Sequence, residues 1–222
     1  MYIDAGIRSG VVATLLALAA ATGTAWGHEQ HTHDAEQLTA AGTSEAVEQE
    51  AENLAMEPFP ADIGGHFALI DQAGRAVTDA DFRGRFMLIF FGYVQCDSIC
   101  PVGLKRMAEA IDLLGAPGER VQPILITVDP EDDTPEVLAA FVPSVHPRLI
   151  GLTGDADAVA AAMESYKVSA KPIGQSWKGT PVISHGSYIY LMGPDGELLT
   201  VLPPVFSAEA MAGIIGRYLN AS

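Results

Sequence analysis

Residues 86–91 form an uninterrupted apolar run, Phe-Met-Leu-Ile-Phe-Phe, and this run strongly constrains how the chain can fold. It is too short for a typical helix and contains no polar residue, so it predicts a strand that is buried on both faces. Pro101 follows after a short loop and predicts a helix start, because proline is tolerated in the first helical turn.

The rest of the domain repeats this alternation of strands and helices. It predicts an α/β domain of layered sheet and helices, in which sites lie where strands lead into helices. Residues 168–184 contain several prolines and glycines and are predicted to form a loop. The other predicted strands span residues 67–70, 121–128, 148–152, 188–192 and 197–202; the predicted helices span residues 101–114, 155–166 and 208–219, and a further one begins at Thr134.

Cys96 and Cys100 are the two cysteines of the chain, and both lie at the junction between the buried strand and the helix. The helix N-terminus favours a thiolate at Cys100. Thiolates are soft ligands that select Cu(I), zinc or iron–sulfur clusters, although two cysteines alone cannot hold such a cluster within one chain. A structural disulfide is the alternative, and it would add little stability because the loop it closes is short.

Histidine is the natural third ligand, and three of the six histidines lie in the domain. His66 precedes the first strand without an evident partner, and His146 is predicted to cap a helix or lie at the surface. His185 precedes the strand at residues 188–192, where a lone histidine is usually structural. The residues alone leave its role open.

The N-terminal part of the chain has a different composition. Residues 1–27 resemble an export signal, because Arg8 precedes a short apolar stretch and small residues follow it. The apolar stretch is shorter than the ~20 residues that a membrane-spanning helix needs, so cleavage is expected and the protein is predicted to be periplasmic. Residues 28–57 are acidic and poor in large apolar residues, which predicts a flexible tether; residues 58–222 are the size of one domain.

The formal net charge of −16 excludes nucleic acid as a partner, since that binding requires clustered Lys and Arg. It favours a basic protein partner or cations. His28, His31 and His33 lie close together in the tether and form a possible second metal site, suited to Cu(II), Zn(II) or Ni(II). The alternative is that they belong to a solvated segment without a metal.

Three ordered motifs over residues 58–219 resemble those of the Sco/SenC copper-binding proteins. They are Phe90-Phe91-Gly92-Tyr93 with Cys96-x-x-x-Cys100-Pro101, then Thr127-Val128-Asp129-Pro130-Glu131-Asp132-Asp133-Thr134, and then His185 with Tyr190-Leu191 and Gly193-Pro194-Asp195-Gly196.

The resemblance implies a thioredoxin-like α/β fold, with a central mixed sheet flanked by helices, in which Cys96, Cys100 and His185 bind copper as Cu(I) or Cu(II). It also implies a metallochaperone that helps assemble the CuA centre of cytochrome c oxidase. The expected partners are a copper-containing oxidase subunit or another copper enzyme, and a periplasmic thiol reductant or copper donor. Asp129 is expected in a turn, with a possible second-shell role.

This chain departs from the family pattern at two places. Asp97-Ser98 stands where members commonly have Pro-Asp, and Ser184 stands where an aspartate commonly precedes the ligand histidine. A carboxylate there would orient the imidazole and raise its basicity, so the serine weakens this argument without removing the ligand.

Two other functions use the same thiols. A thiol–disulfide oxidoreductase would use Cys96 and Cys100 as its redox pair on the cysteines of a client, and a peroxidase-like activity would use one low-pKa cysteine. An imidazole presented from a distant segment favours copper binding, because a reductase does not need it. Whether the protein is also an enzyme stays open.

Overall fold

The computed structural model describes residues 63–175, 181–186 and 188–221 of the 222-residue chain. The predicted export signal, the tether and the histidines at positions 28, 31 and 33 lie outside the described residues.

A mixed sheet of seven strands forms the centre of the domain, and two further strands pair separately. In space the large sheet has the order β2-β1-β5-β4-β3-β8-β9, with β3, β4 and β5 parallel and with β1 and β8 antiparallel to their neighbours. The nine strands are β1 (Ala68–Asp71), β2 (Ala76–Thr78), β3 (Phe86–Gly92), β4 (Val121–Thr127), β5 (Ile150–Thr153), β6 (Ala170–Gln175), β7 (Pro181–His185), β8 (Ile189–Met192) and β9 (Leu198–Leu202).

Within the described residues, four α-helices and two short 3-10 helices (Asp79–Phe82 and Ala116–Arg120) accompany the sheet. The α-helices are α1 (Ile99–Leu114), α2 (Pro135–Val145), α3 (Ala156–Ser165) and α4 (Ala208–Ala221). Thr134 caps α2 as predicted, because its side chain accepts a hydrogen bond from the Val137 N–H. The predicted α/β architecture with a central mixed sheet is confirmed. Among the described residues, no helix combines the length and apolarity needed to cross a membrane.

The predicted buried strand is the centre of the core. Every residue of β3 is buried, and so is every residue of its parallel neighbour β4. Each large apolar side chain removed from water in this way stabilises the fold by about 1.5–3 kcal/mol. This packing fixes the end of β3. Residues 93–100, here called the cysteine segment, leave the sheet from that point.

The predicted loop at residues 168–184 is wrong. Its two ends form the antiparallel hairpin of β6 and β7, in which Ala170 pairs with His185. The prolines and glycines suggested a loop, but the strand pairing accommodates them with a register shift between Pro172 and Gly174. The two strands form a small sheet of their own. His185 is therefore the last residue of a strand.

Candidate metal centre

The site lies at one edge of the large sheet, where three segments meet. β3 and β4 are parallel, so their carboxyl ends are adjacent, and the Val128 N–H bonds to the Gly92 carbonyl at 2.9 Å. β8 runs antiparallel to β3, and its first residue, Ile189, pairs with Phe90. The chain entering β8 therefore arrives beside the end of β3 and brings His185 with it.

The structure brings Cys96, Cys100 and His185 together. Their potential ligand atoms all lie within 4.8 Å of one another, and the Cys100 Sγ is 3.6 Å from the His185 Nε2. The cysteines are only 6 % and 2 % exposed, and His185 is half-buried. Across the described part of the chain, no other group of three histidine, cysteine or acidic side chains has this spacing.

Gly92 allows the Cys100 sulfur to approach the end of β3. A Cβ at this position would lie 3.2 Å from the Cys100 Sγ and 2.8 Å from the Phe90 ring. Because a side chain here would push on both, the glycine of the first motif is required by the packing around the thiol.

The two thiols have opposite pKa shifts. The pKa of Cys96 falls to about 3, chiefly because the Cys100 thiol donates a hydrogen bond to it, with His185 and Ser98 as further partners; burial opposes this shift. The same hydrogen bond, together with burial, raises the pKa of Cys100. These directions favour the thiolate on Cys96, whereas the helix N-terminus favours it on Cys100.

The imidazole of His185 is oriented by the backbone. Its Nδ1 lies 3.1 Å from the Gly186 carbonyl oxygen, so Nδ1 carries the proton and donates it, and Nε2 faces the thiols. The rings of Phe90 and Tyr93 pack edge-on against it, with centroids 6.4 Å and 6.0 Å away. The carbonyl thus holds the ring where Ser184 replaces the usual aspartate.

Asp133 supports the cysteine segment, and the sequence reasoning missed it. Its Oδ2 accepts hydrogen bonds from the Val94 N–H at 3.1 Å and from the Thr127 hydroxyl at 2.7 Å. The residue is 1 % exposed, and burial raises its pKa to about 6 despite these two donors. An acid directly before the cap at Thr134, within the second motif, was the available signal.

Asp129 makes its described hydrogen bonds through the backbone. Its N–H bonds to the Thr127 hydroxyl at 2.9 Å, and its carbonyl accepts from the Asp133 N–H at 2.9 Å. Burial and the neighbouring acids Asp132 and Glu131 raise the pKa of its carboxyl. These contacts fit the expected turn, and a second-shell role for Asp129 stays a prediction.

The other two histidines of the domain lie elsewhere. His66 is exposed and its Nδ1 is 3.1 Å from the Asp79 carboxylate. His146 caps the end of α2, as predicted, and its Nδ1 accepts the Arg148 N–H at 3.1 Å. Neither belongs to the group formed by Cys96, Cys100 and His185.

A groove of about 380 Å³ leads from the thiols along α1 towards α2. Apolar side chains form much of its lining, and acidic residues of α1 join them. The thiols are therefore approachable from this side although their own exposure is small. Its lining includes Cys96, Cys100, Leu104, Glu109, Asp112 and Phe141.

Comparison with known proteins gives one consistent family. The family model described as SCO1/SenC matches residues 55–220. The SCO2 homologue of Homo sapiens, a mitochondrial protein, is 40% identical over 159 residues, which are 71% of this chain and 60% of that protein. The SenC protein of Rhodobacter capsulatus is 36% identical over 161 residues, 72% of each chain. The chain thus spans about half to three fifths of the length of the mitochondrial relatives it matches.

Solved structures agree. Bradyrhizobium japonicum ScoI, determined with copper bound, superimposes with a TM-score of 0.64 at 38% identity, over 70% of this chain and 99% of that one. BsSco, described as a member of the Sco family of cytochrome c oxidase assembly proteins with a disulfide switch, superimposes at 0.58 over 75% of this chain and 99% of that one. At 24% identity BsSco supports the fold alone. The expected thioredoxin-like fold is confirmed, and this chain belongs to the SCO1/SenC family.

Proposed function

We propose that this protein binds one copper ion through Cys96, Cys100 and His185 and passes it to the CuA centre of cytochrome c oxidase. The observation that carries the proposal is the convergence of two sulfurs and one imidazole nitrogen within 4.8 Å. Two soft donors with one imidazole suit Cu(I) and also accept Cu(II). The copper-bound ScoI relative supports the choice of copper over zinc.

The protonation of the site fits this role. Cys96 has the lowered pKa and coordinates readily as a thiolate, whereas Cys100, whose pKa is raised, must lose a proton; Nε2 of His185 faces both sulfurs. Binding of copper therefore releases a proton from Cys100 and requires that the two cysteines be reduced. Copper loading is coupled to thiol redox state, because a Cys96–Cys100 disulfide removes both sulfur ligands.

The cellular setting belongs to the same proposal. The export signal predicted at residues 1–27 implies a periplasmic protein that meets an oxidase subunit, or another copper enzyme, outside the cytoplasm. A periplasmic thiol reductant would keep the pair reduced, and a copper donor would load it. His28, His31 and His33 would form a second site of nitrogen donors, suited to Cu(II), that captures copper for the thiols.

The opposite pKa shifts of the two thiols support a second function. A thiol–disulfide oxidoreductase needs one thiolate that attacks and one thiol that resolves. Cys96 has the lowered pKa and lines the groove, so its thiolate would attack a client disulfide and release one client thiol. Cys100 would then displace the second client thiol and close a Cys96–Cys100 disulfide.

Anaerobic Cu(I) titration of the reduced protein, compared with His185→Ala, tests the copper site. We expect one copper per domain, X-ray absorption with two sulfur ligands and one nitrogen ligand, and a marked loss of affinity in the variant. His66→Ala is the matched control, because it removes an exposed imidazole outside the site. Binding that is indifferent to His185 would favour the oxidoreductase function instead.

A further inference from the structure

The hairpin that carries His185 is weakly integrated into the domain. β6 and β7 form a two-stranded sheet of their own, and among the described strands neither has a ladder with the large sheet. Most of β6 is exposed. The position of the imidazole relative to the thiols therefore depends on a small number of contacts between this hairpin and the cysteine segment.

Tyr93 contacts both the β6–β7 hairpin and the segment that carries the cysteines. Its hydroxyl oxygen accepts a hydrogen bond from the Ile183 N–H of β7 at 3.2 Å. Its backbone carbonyl accepts a hydrogen bond from the Cys96 N–H at 3.3 Å. The Tyr93 ring lies against the His185 ring at 77°, and Tyr93 is only 4 % exposed.

We propose that Tyr93 is a positioning residue of the metal site, which joins the backbone at Cys96 to the hairpin that presents His185. This inference rests on the proposed copper function. The Tyr93 hydroxyl holds β7 two residues before His185, and its carbonyl holds the Cys96 N–H. Both halves of the ligand set are then held by one residue.

Tyr93→Phe tests the proposal, because it keeps the ring that packs on His185 and removes only the hydroxyl. Tyr166→Phe is the matched control: Tyr166 is also buried, and its hydroxyl has no hydrogen-bond partner among the described residues. We expect Tyr93→Phe to lower Cu(I) affinity by about 10- to 100-fold, the usual effect of losing an outer-shell partner. The sulfur-to-Cu(II) charge-transfer band should also shift, because the hairpin no longer holds the imidazole at its present position beside the sulfurs.

A measurement on the copper-free protein separates this inference from the proposed function. Without the Tyr93 hydroxyl, the Ile183 amide hydrogen should exchange faster with solvent by NMR, and it should be unaffected in Tyr166→Phe. Unchanged Ile183 exchange, or an unchanged copper affinity and spectrum in Tyr93→Phe, would overturn the positioning role. If the wild-type protein itself binds no copper, the proposed function is wrong, and the Ile183 exchange alone then decides whether Tyr93 joins the two segments.

Discussion

At the scale of single residues, Asp133 links the folding of the domain to the geometry of the thiols. Its buried carboxyl accepts one hydrogen bond from a backbone N–H of the cysteine segment and another from a hydroxyl at the end of β4. Burial favours the neutral carboxyl, so the folded state holds this proton more tightly than the unfolded chain, where the pKa is near 3.8. The contribution of this group to stability is therefore greatest below pH 4 and is lost as the pH rises to about 6.

Asp133→Asn should remove this pH dependence while keeping an oxygen that accepts from Val94. A pKa shift from 3.8 to about 6 corresponds to a change of up to about 3 kcal/mol in the free energy of unfolding across this range. Urea unfolding at pH 4, 5, 6 and 7 would measure it. The exposed neighbour Glu131, changed to Gln, should keep the wild-type pH profile, and the same profile in Asp133→Asn would contradict this account of the buried carboxyl.

At the scale of secondary-structure elements, α1 packs one face against the core and exposes the other to solvent. Ile111 is 2 % exposed, whereas Leu113, two residues later on the same helix, is 56 % exposed. The helix also carries Cys100 in its first turn, so its packing sets the depth of that thiol.

Ile111→Ala should lower the free energy of unfolding by about 2–5 kcal/mol, because it leaves a cavity in the packed core. Leu113→Ala should change it by less than about 0.5 kcal/mol, since the side chain is already in water. Guanidinium unfolding of the two variants compares them directly. Similar losses in both would mean that this face of α1 is not packed as described.

The elements also show which features can be predicted from a sequence. β3 and the start of α2 could be predicted because their signals are local: a continuous apolar run, and Thr134 before a proline. The β6–β7 hairpin could not, because β6 is mostly exposed, has little hydrophobic pattern and contains Pro172 and Gly174. In the site, the three motifs identified Cys96, Cys100 and His185, whereas the carbonyl of Gly186 has no sequence signal because every residue has one.

At the scale of the whole molecule, the domain is joined to an acidic segment with its own candidate ligands. The chain carries 28 acidic and 12 basic residues, and a surface of one sign speeds encounters with an oppositely charged partner. The histidines at positions 28, 31 and 33 offer nitrogen donors, which suit Cu(II), while the thiols of the domain suit Cu(I).

If the nitrogen site and the thiol site both bind copper, the number of copper ions per chain should fall when the nitrogen site is removed. Protein lacking residues 1–27 should bind two equivalents of copper, one at the thiol site and one as Cu(II) at the histidines. Replacement of His28, His31 and His33 by Ala should reduce the total to one equivalent. Replacement of Thr32 by Ala is the matched control, because it alters the same segment without removing an imidazole. Electron paramagnetic resonance of Cu(II) would count the nitrogen-ligated ion, and an unchanged signal in the triple variant would show that these histidines bind no copper.

The separation of Cys100 and His185 by 85 positions has a consequence for the lifetime of the protein. An ion held by both residues acts as a cross-link that closes a loop containing β4, β5, α2 and α3, so an unfolding chain must either release its cargo or remain partly closed. Because a bound metal would stabilise the folded state by mass action, the empty protein should open more often and be degraded first by proteases. The amount of this protein would then follow the supply of its metal, without any dedicated sensor.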